Sequence, residues 1–302
     1  MTKAWSGIPV RSAASAVFPD PRALALAVLS VALLPVRSGA QVEVSCRLRH
    51  GRVLQYEPVE ATVVIRNNTA EPLRFRGSGA NARLGFDIEQ SPGVLVMPTG
   101  ERLVPAGFTV APGGTASADV NLLYAYQIRA TGPYTVTARV DWNGRSHLSG
   151  RQFLDVLPGL EVARLDAVVP GEGGGPRVFS LRTLTRDREE RLFLRVEDER
   201  AGQCYGVIDL GGAVRQFPPS LQVDGSGRVH VLHQAGPTRY LHSVFDARAR
   251  AVNRQSYSGE LADVRMSRTE GGDVVVDGGT PARGDPRDRD DDAERDRDPN
   301  AR

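Results

Sequence analysis

Lysine is almost missing: Lys3 is the only one in 302 residues. A chain without lysine beyond its first residues has no Schiff-base amine, no phosphate-loop lysine and no serine–lysine dyad. No G-x-S-x-G is present, so the strained strand-to-helix turn that exposes a hydrolase serine is not encoded. Basic charge is scarce once the start of the chain is set aside. Residues 1 to 40 hold Lys3, Arg11, Arg22 and Arg37 against Asp20, a net +3, which leaves −1 of the total +2 for residues 41 to 302. That body offers no electrostatic footprint for nucleic acid or for an anionic membrane. Cysteine is limited to Cys46 and Cys204.

Glycine (32) and proline (20) are abundant, together about 17% of the chain against roughly 12% in average usage, which favours many turns over long helices. Hydrophobic residues make up 40%, enough for one large domain or two ordinary ones. The expected organisation is a signal peptide over 1–40, an immunoglobulin-like β-sandwich over 41–158, a β-rich repeat domain over 159–280 and a disordered charged tail over 281–302.

Ala23 to Leu34 is apolar apart from Ser30, with Arg22 before it and Pro35, Val36 and Arg37 after it. The run is too short for a membrane span and right for the hydrophobic region of a secretory signal. Ser38, Gly39 and Ala40 supply the small residues a signal peptidase reads, so cleavage is expected before Gln41. The competing readings are an uncleaved amphipathic anchor and a buried helix. Export would place the protein in the periplasm or outside the cell, with no integral span after cleavage. In that oxidising compartment Cys46 and Cys204 could pair. Two separate buried thiols are the preferred reading, because the two residues alternate inward in different regions 158 residues apart.

From Gln41 to Pro158 short runs of period two alternate with turn residues. Val59, Ala61, Val63 and Ile65 alternate with Glu60, Thr62, Val64 and Arg66, and Asn67-Asn68-Thr69 turns the chain. Similar runs begin at Val42, Leu73, Gly85, Thr115 and Tyr134, and the strand from Thr115 is read as far as Leu123. Seven or eight such strands predict an antiparallel sandwich. The segment Tyr126-Gln127-Ile128 followed by Gly132-Pro133-Tyr134-Thr135-Val136 resembles the tyrosine corner of immunoglobulin-like sandwiches, with Tyr134 as the corner residue. The order Val63-Val64-Ile65-Arg66-Asn67-Asn68-Thr69, Gly85-Phe86-Asp87-Ile88, Ala111-Pro112-Gly113-Gly114 and Gly132-Pro133-Tyr134 resembles bacterial sandwiches of the intracellular proteinase inhibitor type. That resemblance covers about 100 residues and implies a protease-binding loop.

In the second region Leu192–Val196, Val207–Leu210 and Ala213–Gln216 are echoed by Val229–Leu232, Val244–Ala247 and Ala251–Gln255, with a third echo near Asp273–Val276. A four-stranded unit recurring at about 40 residues resembles a β-propeller blade. The 121 residues have room for three blades, one short of the smallest closed ring. An incomplete blade stack or a second sandwich of duplicated hairpins is therefore expected. Gly171–Pro176 reads as a flexible loop, and Arg186–Arg191, with its mixed charges, as a solvated hairpin tip.

Five histidines leave one arrangement to weigh. His230 and His233 fall on opposite faces of a strand, whereas His230 and His242 share a face across a hairpin centred near Gly236. They are the metal candidates, although no third ligand is identifiable. The expectation is no metal, no cofactor and no catalytic residue: an exported, non-catalytic binding or scaffolding protein of the cell envelope, engaging a protein or a glycan. The alternatives are an envelope hydrolase or its accessory subunit, with a pocket around His230, His242 and Asp209, and a secreted protease inhibitor.

Overall fold

The computed structural model describes residues 41–170, 175–214, 216–260 and 263–282. The expected signal peptide, most of the Gly171–Pro176 loop and all but the first two residues of the expected tail lie outside them. The protein is all-β, and its sheets are antiparallel apart from one pair of strands.

The first β body runs through β1 (Val42–Leu48), β2 (Arg52–Leu54), β3 (Glu60–Asn67), β4 (Leu73–Arg74), β5 (Ala82–Gln90), β6 (Val94–Leu95), β7 (Thr109–Val110) and β8 (Thr115–Asn121). A one-turn helix α1 (Leu122–Ala125) follows, then β9 (Gly132–Trp142), β10 (Arg145–Leu148) and β11 (Gln152–Leu157). One sheet has the order β1-β3-β8, the other β2-β11-β9-β5-β6, and β10 also pairs with β9. The period-two runs place Ala61, Val63, Ile65, Tyr134, Val136, Ala138 and Val140 in the core between the sheets. Where the sequence read a strand to Leu123, the Asn121 side chain accepts the Leu123 N–H and caps a helical turn that buries Leu122 and Ala125. Two tyrosines tie the chain to itself. The Tyr134 hydroxyl donates to the Ala130 carbonyl at 2.6 Å, and the Tyr126 hydroxyl accepts the Phe86 N–H at 2.6 Å.

Beyond Gly159 the strands form two consecutive four-stranded meanders. The first is β12 (Leu160–Val169), β13 (Gly175–Arg186), β14 (Glu189–Asp198) and β15 (Gln203–Gly212). The second is β16 (Ser220–Val223), β17 (Val229–Gly236), β18 (Arg239–Phe245) and β19 (Ala251–Ser258). The pair β20 (Arg265–Arg268) and β21 (Val274–Asp277) follows, and β22 (Thr280–Pro281) returns to the edge of β19. Pro281 and Ala282, assigned to the tail from composition, thus belong to this edge.

The echo of Leu192–Val196 in Val229–Leu232 is not the structural period. It matched β14, the third strand of one meander, to β17, the second of the next, and Ala213 and Val214 lie in no strand. What recurs, within the second meander, is a turn. Asp224 and Asp246 each accept N–H groups two and four residues ahead on one carboxylate oxygen, closing loops with Gly227 (φ +83°) and Ala249 (φ +65°) in the left-handed region.

The central strand β14 of the first meander is buried on both faces. Leu192, Leu194 and Val196 pack with Val229, Val231 and Phe245 of the second meander, whereas Phe193 packs with Leu54 of the sandwich. An unbroken apolar run such as Leu192-Phe193-Leu194 is what a strand covered on both sides requires. At the junction, a side chain on Gly159 (φ +68°) would stand 2.4 Å from Leu54 Cδ1, so only glycine fits.

Candidate functional site: the histidine strands

The Asp224 loop sets the geometry. Its Oδ1 accepts the Ser226 and Arg228 N–H groups and the Ser226 hydroxyl, and its Oδ2 accepts Arg228 Nε at 2.8 Å. These bonds hold the Asp224 carboxyl far below the usual range although burial opposes ionisation. Two residues beyond the loop, His230 Nε2 lies 3.2 Å from Asp224 Oδ2, and His230 Nδ1 lies 3.1 Å from His242 Nε2. The imidazoles stack with centroids 5.2 Å apart and planes 25° from parallel. Leu232, not His230, stands opposite His242, so the two histidines are diagonal neighbours on one face.

A carboxylate that accepts from Nε2 leaves Nδ1 of a neutral His230 as an acceptor, and His242 Nε2–H is the donor that reaches it. The three groups form a linear chain, Asp224–His230–His242, with His230 in the middle. Burial and the adjacent His230 push His242 down to about 4. Among the described residues no group of three or more histidine, cysteine, aspartate or glutamate side chains is arranged to hold a metal ion.

Asp209 does not join this chain. It pairs with Arg191 at 2.8 Å and approaches Arg186 at 3.9 Å. Arg186, read from sequence as part of a solvated tip, is buried against Glu57 of the sandwich. Only Asp187 and Arg188, both at positive φ, form the tip itself. The carboxylate that does reach His230 belongs to the turn Asp224-Gly225-Ser226-Gly227, and its i to i+6 spacing to His230 carries no motif.

Cys46 lies in the sandwich core and Cys204 beside Leu54, Leu184 and Phe193, and both are free thiols. Burial pushes each thiol up to about 11. His233, on the opposite face of β17 from His230, is enclosed and pushed down to about 4 by burial and by Arg254. It lines a cavity of about 300 Å³ with Gln234, Leu192 and Phe217. No helix among the described residues is long and apolar enough to cross a membrane. Compared with known families and curated proteins, the chain matches no family model and no curated sequence.

Proposed function

We propose that the chain is an exported binding and scaffolding protein of the cell envelope that engages a protein or a glycan through a sheet edge. One observation carries this reading. Val94, Leu95, Met97 and Tyr124 are all more than half exposed, and they lie together. β6 is the outer strand of its sheet, the Met97 carbonyl accepts the Gln127 N–H, and Thr99 donates to the Tyr124 carbonyl. An outer strand flanked by exposed apolar side chains is a template for strand addition. The secretory leader read from residues 23–40 supports the location.

The test is site-specific photocrosslinking from position 97 in cells, with mass analysis of the mature chain. Expected are an N-terminus at Gln41, an envelope fraction and one discrete adduct that Leu95→Arg removes. A cytoplasmic chain, or adducts indifferent to Leu95→Arg, would overturn the reading.

The same extended segment supports a second reading, a protease inhibitor of the type the sandwich resembles. Val94–Met97 would then enter a substrate cleft, and indifference of a broad protease panel would remove that idea. A hydrolase draws less support, because Asp224, His230 and His242 spend their hydrogen bonds on the turn and on one another.

A further inference from the structure

The cavity between the two meanders, near the start of β12, has an unfinished interior. His233 is 1% exposed, the Gly212 backbone reaches one side of its ring, and neither ring nitrogen has a partner at full hydrogen-bonding geometry. Gln234 donates its amide nitrogen to the Pro237 carbonyl at 2.9 Å, while its amide oxygen has no partner. Buried polar atoms are nearly always paired, so unpaired ones lining a cavity mark where a ligand atom or water belongs. Around them the wall is mostly apolar, with Leu160, Leu192, Val214 and Phe217, and Thr183 and Glu190 line it as well.

We propose that this cavity binds a small apolar molecule carrying one hydroxyl group, a phenol or a compact alcohol, with the hydroxyl on His233. A neutral imidazole presents one donor and one acceptor. A hydroxyl is both, so it satisfies whichever nitrogen faces the cavity. An anion is disfavoured, because the ring is held neutral at physiological pH. The about 300 Å³ volume has room for a single substituted ring. This site is independent of the β6 edge, so either proposal stands if the other fails.

The probe is 4-methylphenol, with toluene as the same ring without the hydroxyl, titrated into the purified chain and followed by the His233 ring ¹⁵N resonances. Expected are saturable binding of 4-methylphenol with a shift at His233, and toluene at least about fivefold weaker, the usual worth of one hydrogen bond. Val214→Trp, at the wall, should abolish binding of both without changing the melting temperature, and His233→Phe should equalise the two probes. If His233→Phe does not fold, Val214→Trp and the ¹⁵N shift decide. Absence of saturable binding at millimolar probe, equal affinity for toluene, or binding undisturbed by Val214→Trp would overturn the proposal and leave the cavity to water.

Discussion

Arg186 Nη2 lies 2.7 Å from both carboxylate oxygens of Glu57, and the two residues, 129 apart in sequence, are both almost fully buried. Glu57 Oε2 also accepts the Leu54 N–H at 2.6 Å, so the same carboxylate fixes a turn of the sandwich and a strand of the first meander. Burial raises the Glu57 carboxyl above its ordinary range even with the guanidinium beside it. The pair therefore adds little net stability, and what it supplies is orientation: other arrangements of the two β bodies would leave a buried charge alone.

Removing one member of this pair should cost far more than removing both. Glu57→Gln or Arg186→Met alone is expected to lower unfolding free energy by about 3–5 kcal/mol in urea titrations, the usual cost of orphaning a buried charge. The double variant should recover most of that loss. Single variants costing under about 1 kcal/mol would mean that the ion pair is solvated.

Stability should fall as pH drops from about 6.5 to 4. Burial holds His242 and His233 down to about 4, below their unfolded value of 6.5, so in this window the unfolded chain binds protons that the folded chain refuses. Each contributes about 3 kcal/mol that is present above pH 6.5 and lost by pH 4. Glu57, held above the ordinary carboxyl range, contributes in the opposite sense. Urea midpoints at pH 7 and pH 4.5 check this, and His242→Gln should flatten part of the difference. Equal midpoints in the parent protein would contradict it.

Local periodicity made the sandwich legible, because each strand buries one face and exposes the other: Ala61, Val63 and Ile65 announce β3 without help from the rest of the chain. The meanders were harder to read. β14 and β17 are covered on both faces, so the alternation that fixes register and repeat phase is erased. The Asp224-Gly225-Ser226-Gly227 turn carries the glycines that mark such a loop, but Asp246-Ala247-Arg248-Ala249 builds the same loop with an alanine at positive φ, which composition does not signal. Of the histidine site, the shared face of His230 and His242 followed from strand period. Asp224 as their carboxylate did not, since it depends on how a turn aims one side chain. Arg186 was misread because its partner lies in the other β body.

Tyr126, which stands in the segment that resembles a tyrosine corner but is not its expected corner residue, should matter at least as much as Tyr134. Tyr134→Phe loses a donor to the Ala130 carbonyl and should cost about 1 kcal/mol. Tyr126→Phe removes the acceptor of the buried Phe86 N–H on β5, leaving that donor unsatisfied, and should cost about 1–3 kcal/mol. Thermal or urea unfolding of the two variants settles the order, and a Tyr126→Phe variant as stable as the parent would show that Phe86 finds another acceptor.

Both cysteines should be silent in the folded protein. With thiols pushed up to about 11 and lying in separate clusters, Cys46 and Cys204 are neither nucleophilic nor placed to pair. Iodoacetamide at pH 7.5 should add no mass to the native chain and two equivalents after urea unfolding without reductant. One or no addition to the unfolded chain would reveal a bridge.

The two aspartate loops offer the sharpest comparison, since they share a backbone and differ in what else the carboxylate holds. Asp246 accepts the N–H groups of Arg248 and Arg250 at 2.8 and 2.9 Å at the exposed end of its hairpin, so Asp246→Ala should cost about 1 kcal/mol as a lost turn cap. Asp224 accepts the equivalent N–H groups, the Ser226 hydroxyl and Arg228 Nε, and it anchors His230. Asp224→Ala removes all of these and leaves a buried imidazole N–H without its acceptor, an expected loss of about 3 kcal/mol or more. The chain of three groups makes a further distinction. Without Asp224 the preference of His230 for Nε2–H disappears, the order of donor and acceptor along His230 and His242 is no longer fixed, and their ring ¹⁵N shifts should move together. Asp246→Ala should leave those shifts unchanged. Equal destabilisation by the two alanine variants, with the histidine resonances undisturbed by Asp224→Ala, would reduce Asp224 to a turn residue and dissolve the chain.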